Sequence, residues 1–121
     1  MTVFGYVRKD YPSETSIQMK KLMELECEDF FIEKTPFNID AELKAMLKSL
    51  KEDDVLIMAS LASFGKGIND LKLIVDDIHQ KNIRLICLEE DIDTSKEYSF
   101  IEILNIISFL DKEVRSEKVK Q

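Results

Sequence analysis

Apolar residues in this chain occur in short continuous runs that alternate with longer segments of helical spacing. The runs lie at residues 3–7, 30–32, 54–59 and 83–88, and their length predicts buried strands. The run at 54–59 does not alternate apolar and polar residues, which is typical of a parallel strand with both faces covered. The order β-α-β-α-β-α-β predicts an α/β domain with a mostly parallel sheet of four to five strands and right-handed crossovers.

Three segments between these strands carry apolar residues on one helical face. The first begins after Ser13, which supplies capping chemistry, and runs to about Glu26. The second is capped by Asp40, and the third follows a glycine-containing loop. Apolar residues three and four apart predict that one face of each helix packs on the sheet. In chain order they are Ile17, Leu22, Met23 and Leu25; Leu43, Met46, Leu47 and Leu50; and Ile68, Leu71, Ile74, Val75 and Ile78.

The last apolar segment differs, because between residues 100 and 110 only Glu102, Asn105 and Ser108 are polar. A helix on one side of a sheet needs an apolar stripe of roughly 100°, and this segment has more. A helix over 97–119 would be roughly 35 Å long. It is either a deeply buried core helix or a subunit interface, and we favour the interface because the apolar surface is so wide. The interface candidates are Ile103, Ile106, Ile107, Leu110 and Val114.

The bulk properties favour one soluble domain spanning residues 1–121. The net charge of −7 argues against a strong direct DNA interface, because DNA affinity comes mainly from cationic side chains. No apolar run is long enough to span a membrane, and the N-terminus lacks a signal-peptide layout, so a cytoplasmic location is expected. Cys27 and Cys87 both lie in apolar contexts, which predicts buried reduced thiols.

No motif indicates a cofactor, and we expect none. Gly65-Lys66-Gly67 follows a strand and precedes a helix, but it lacks the spacing of a nucleotide-binding loop. His79 lies near the end of the third predicted helix without an evident acid–base partner, so a surface position is the simpler interpretation. No cysteine and histidine spacing typical of a metal site is present.

Several stretches resemble the catalytic domain of serine recombinases of the resolvase/invertase kind. Phe4-Gly5-Tyr6-Val7-Arg8 resembles the first strand of that family, and Ile17-Gln18 followed by Leu22 resembles its first helix. Residues 52–57 and 60–66 are similar to its third strand and the following loop, and 90–94 to the segment ahead of its long helix. The resemblance implies a three-layer resolvase-like fold with a long C-terminal helix, and DNA strand exchange through a serine nucleophile as the family's activity.

The departures from the family pattern lie mostly at the family's catalytic positions. Asp10 stands in the register of the nucleophilic serine, and Ser13 lies three residues further on. The arginine of the second family helix falls near Ala41. In the loop after the third strand, the family's aspartate falls at Ala62 and its two arginines fall at Ser63 and Lys66. Among these positions, Arg8 alone has the residue type of the family. The resemblance therefore implies a vestigial pocket, whose members would be Arg8, Asp10, Ser13, Ser63 and Lys66.

Two hypotheses of different kinds follow. In the first, the chain is a catalytically inactive recombinase-like domain that forms a homodimer or higher oligomer through residues 97–119, or joins an intact recombinase, and regulates recombination or a mobile element. No helix-turn-helix DNA-binding domain is expected within residues 1–121. In the alternative, the chain is a residual site-specific recombinase with a non-standard nucleophile, Asp10 or Ser13. DNA binding without cleavage is a weaker third hypothesis.

Overall fold

The computed structural model describes residues 2–34, 41–65 and 67–95, together with Asn105, Ile107 and Phe109. A five-stranded sheet has the order β2-β1-β3-β4-β5. The first four strands pair in parallel, and the fifth is antiparallel to β4. The predicted mostly parallel α/β architecture is therefore confirmed. The strands are β1 (Val3–Arg8), β2 (Asp29–Glu33), β3 (Val55–Met58), β4 (Arg84–Cys87) and β5 (Ile92–Asp93).

Three α-helices connect the parallel strands, as the apolar spacing predicts. They are α1 (Thr15–Met23), α2 (Ala41–Ser49) and α3 (Ile68–Gln80), and a short 3-10 helix at Leu61–Phe64 lies between β3 and α3. Helix α1 ends three residues before the predicted Glu26. The amides of Leu25 and Glu26 bond three residues back, which tightens the last turn. Glu26 then takes a left-handed φ of 59°, which stops the helix.

The core has two parts, one on each face of the sheet. The larger part is formed with α2 and α3, whose residues Leu43, Met46, Val75 and Ile78 are buried in it. The smaller part lies under α1, around Leu22 and the inward residues of β1 and β3. All four residues of β3 are buried, which confirms that this central strand is covered on both faces.

The two cysteines lie in different environments. Cys87 on β4 is fully buried, and burial, together with the nearby Glu90 charge, raises the pKa of its thiol. Cys27 is only half-buried in the loop between α1 and β2, so the prediction of a buried thiol is wrong there. Cys27 is partly exposed because it follows the end of α1 and lies at the margin of the smaller core rather than within a strand.

The segment at 90–94, which sequence places ahead of the last helix, contains the short strand β5. Arg84 on β4 donates from Nε to Asp93 Oδ1 at 2.9 Å and from Nη2 to Asp93 Oδ2 at 2.7 Å. This fork geometry is the strong form of a charge-assisted pair. Hydrogen bonding from Arg84 holds the pKa of the Asp93 carboxyl well below its ordinary value.

The predicted helix at 97–119 lies largely outside the described residues. Asn105, Ile107 and Phe109 are helical. Ile107 is fully buried in the larger core, whereas the side chain of Phe109 is 60% exposed. Packing within its own chain thus accounts for Ile107, and Ile103, Ile106, Leu110 and Val114 lie outside the described residues. Among the residues described, no helix is long and apolar enough to cross a membrane.

Candidate functional site

The order of the strands defines where a ligand crevice is expected in this sheet. The chain leaves β1 toward β2 on one side, and leaves β3 toward β4 on the other. The carboxyl ends of β1 and β3 therefore flank the switch point, which is where open α/β sheets bind ligands. Arg8 ends β1 at this point, and the turn formed by residues 60–65 follows β3. These two pieces of chain form the candidate site.

Arg8 is turned into the protein rather than toward solvent, and none of its surface is exposed. Its Nε donates to the carbonyl oxygen of Ser63 at 3.0 Å. Its Nη2 donates to the carbonyl oxygen of Phe64 at 2.7 Å and to the hydroxyl of Tyr6 at 3.1 Å. A guanidinium has five N–H donors and no acceptor. The two bonds to Ser63 and Phe64 hold the 60–65 turn against the end of β1.

Gly65 allows this close approach of the turn to Arg8. Its φ is 66°, which is the left-handed region that glycine adopts without steric cost. A Cβ at this position would lie 2.5 Å from Arg8 Nε and 2.7 Å from Arg8 Cζ. Glycine is therefore required both by the backbone conformation and by the space that the guanidinium occupies.

Gln18 of α1 connects the same turn to the segment after β1. Its Nε2 lies within hydrogen-bond distance of the carbonyl oxygens of Arg8, Tyr11 and Ser13, at 2.9, 3.0 and 2.8 Å. Its Oε1 accepts from Ser63 Oγ at 3.3 Å. Gln18 and Ser63 are both fully buried. Arg8, Gln18 and Ser63 thus form one buried polar network that fills the crevice.

Asp10 lies on the solvent side of this network and has a structural partner. It is exposed, with a left-handed φ of 53°. Its Oδ1 accepts from the backbone amide and from the hydroxyl of Thr15, both at 3.3 Å, and the Asp10 amide donates to Thr15 Oγ1 at 3.0 Å. Thr15 is the first residue of α1, so the carboxylate satisfies an amide that the helix cannot. Asp10 therefore serves as a cap at the start of α1.

The structure brings together two of the five predicted pocket residues, Arg8 and Ser63. Ser13 is half-buried, and its Oγ is buried without a hydrogen-bond partner among the described residues. Lys66 lies outside the described residues. Beside Asp10, an open cleft of about 550 Å³ is lined by two lysines, two acidic residues and three others: Lys9, Lys34, Asp10, Glu14, Thr15, Ser16 and Ile32.

Several residues of this site are not identified as such by the sequence. Glu90 accepts from Ser60 Oγ at 2.7 Å and from the Leu61 amide at 2.8 Å, and so fixes the start of the 60–65 turn. Tyr6 and Gln18 are also members of the network. The sequence offers a hint for Gln18, because it is a polar residue next to the apolar positions of α1. It offers none for Glu90, which lies in an acidic turn 30 residues from its partner Ser60. Within the described part of the chain, no group of three or more metal-ligating side chains is found.

Comparison with known proteins decides the family. The family model described as "Resolvase, N terminal domain" matches residues 3–121. The chain belongs to the resolvase family. Two solved structures share its fold. The N-terminal catalytic domain of TP901-1 integrase has a TM-score of 0.71 at 18% identity, covering 96% of this chain and 98% of that one. A resolvase-family site-specific recombinase from Streptococcus pneumoniae has a TM-score of 0.65 at 17% identity, covering 99% and 94%.

Three curated relatives of this resolvase-family domain are similar at low identity. The protein uvp1 of Escherichia coli is 29% identical over 101 residues, which is 77% of this chain and 51% of that protein. The DNA-invertase hin of Salmonella typhimurium is 22% identical, and the DNA-invertase of Escherichia phage P1 is 26% identical, each over 98% of this chain. The chain spans 51%, 65% and 66% of these proteins, respectively.

Proposed function

We propose that this resolvase-family domain does not cleave DNA and acts through association. Association with a second copy, or with an intact recombinase, would let it regulate recombination or a mobile element. The domain keeps the scaffold of the family, with which it matches over residues 3–121. Among the described residues, the space between the carboxyl ends of β1 and β3 holds the buried hydrogen-bond network of Arg8, Gln18 and Ser63.

One observation carries this proposal, which is the position of Arg8. Electrostatic stabilisation of the transition state often contributes more to catalysis than any other effect, and one arginine is worth on the order of 10³–10⁵ in some phosphoryl transfers. Arg8, which keeps the family identity, is fully buried, and its guanidinium donates to the carbonyls of Ser63 and Phe64. A phosphate that used these two donors would have to displace the 60–65 turn. Asp10, in the register of the serine, is engaged in capping α1.

Association is supported by the described helical residues Ile107 and Phe109. Ile107 packs into the core while Phe109 is 60% exposed, so apolar residues face both the domain and the solvent. A large exposed aromatic side chain on a helix that already buries another face is typical of an interaction surface. The domain is expected to dimerise, and a protein that remains monomeric at tens of micromolar would contradict this part of the proposal.

A second candidate function is residual strand cleavage with Ser13 as the nucleophile. The observation in its favour is the Ser13 hydroxyl, which has no hydrogen-bond partner among the described residues. The same oxygen is buried, however, and a nucleophile needs both access to the phosphate and a base within hydrogen-bond reach. We therefore place this function second, and the cleavage experiment includes it.

The test is incubation with supercoiled plasmid, followed by detergent treatment and a search for DNA joined covalently to protein. We expect no adduct from the natural chain or from Asp10→Ser. The hydroxyl introduced in Asp10→Ser leaves Arg8 bonded to the 60–65 turn. Losing one group that stabilises the charge of the transition state costs on the order of 10²-fold or more in rate. An intact DNA invertase on its own substrate serves as the positive control. An adduct from the natural chain that Ser13→Ala or Asp10→Ala abolishes would contradict the proposal.

A gel shift with the natural chain, without detergent, tests direct DNA binding. We expect it to be weak, because the net charge is −7 and the two lysines of the open cleft lie beside Asp10 and Glu14. Binding carried by phosphate contacts weakens steeply as salt increases. A gel shift that persists at physiological salt would contradict this expectation.

A further inference from the structure

We draw no further inference here: the strongest candidate, the open cleft that Lys9 and Lys34 form with the start of α1, belongs to the candidate site already described, and its two lysines and two acidic residues favour neither an anionic nor a cationic ligand.

Discussion

Replacing Arg8 by methionine is expected to lower the free energy of unfolding by about 3–5 kcal/mol. The substitution removes donors from two buried carbonyls and a buried hydroxyl, those of Ser63, Phe64 and Tyr6. A buried acceptor that loses its partner costs about 1–3 kcal/mol. Since small domains are stable by only about 5–15 kcal/mol, this one change would remove a large part of the total. Urea or thermal unfolding monitored by circular dichroism measures it.

The neighbouring Lys9 offers a matched control for this prediction. It is exposed and lines the open cleft, so Lys9→Met should change stability by no more than about 0.5 kcal/mol. The comparison separates a structural arginine from a phosphate-binding one, because residues held for binding or catalysis are often neutral or costly for stability. A loss below about 1 kcal/mol in Arg8→Met would mean that the 60–65 turn does not depend on the guanidinium.

The second large effect is expected for Gly65→Ala, which should destabilise the domain by about 2–4 kcal/mol. The left-handed φ of 66° alone costs an alanine about 1–2 kcal/mol. The new methyl group would also lie 2.5 Å from Arg8 Nε, and overpacking of a well-packed interior typically adds about 1–3 kcal/mol. Equilibrium unfolding in urea gives the difference.

Gly67 is the control, because an added Cβ there meets nothing within 4 Å and its φ is −67°. Gly67→Ala should be close to neutral, since alanine also reduces the freedom of the unfolded chain by about 0.4–1 kcal/mol. Equal destabilisation by the two substitutions would show that the contact between Gly65 and Arg8 has no special importance.

The sequence predicts the scaffold well because the scaffold depends on local patterns. The apolar run at 54–59 and the helical spacing of Leu43, Met46 and Leu47 are visible within a few residues, and both are observed. β5 is not predictable in this way, since two residues show no periodicity. The end of α1 before Glu26 depends on a left-handed residue that no strong signal marks.

The state of the candidate site could not be predicted, because it depends on contacts between distant parts of the chain. Period-two alternation in β1 places Arg8 on the same face as Tyr6 and Phe4. The carbonyls that accept from Arg8 belong to Ser63 and Phe64, which are 55 and 56 residues away. The resemblance implies which family groups are replaced, whereas the structure shows that Arg8 is buried and bonded to the 60–65 turn.

The chain is thus a resolvase-family domain in which Arg8, at the end of β1, is part of the folded core. Gly65 is needed because the 60–65 turn packs directly against the Arg8 guanidinium, where a side chain would not fit. We assign the turn no phosphate-binding role. The buried network of Arg8, Gln18 and Ser63 is expected to make the 60–65 turn one of the more slowly exchanging parts of the domain.

Chemical modification with phenylglyoxal tests the burial of Arg8 most directly. The chain has three arginines, and Arg84, with its side chain 42% exposed, serves as the internal reference. Peptide mass spectrometry of the native protein should show modification of Arg84 and none of Arg8, with Arg8 becoming reactive only in denaturant or in Gly65→Ala. Modification of Arg8 in the native protein at a rate comparable to that of Arg84 would contradict the account.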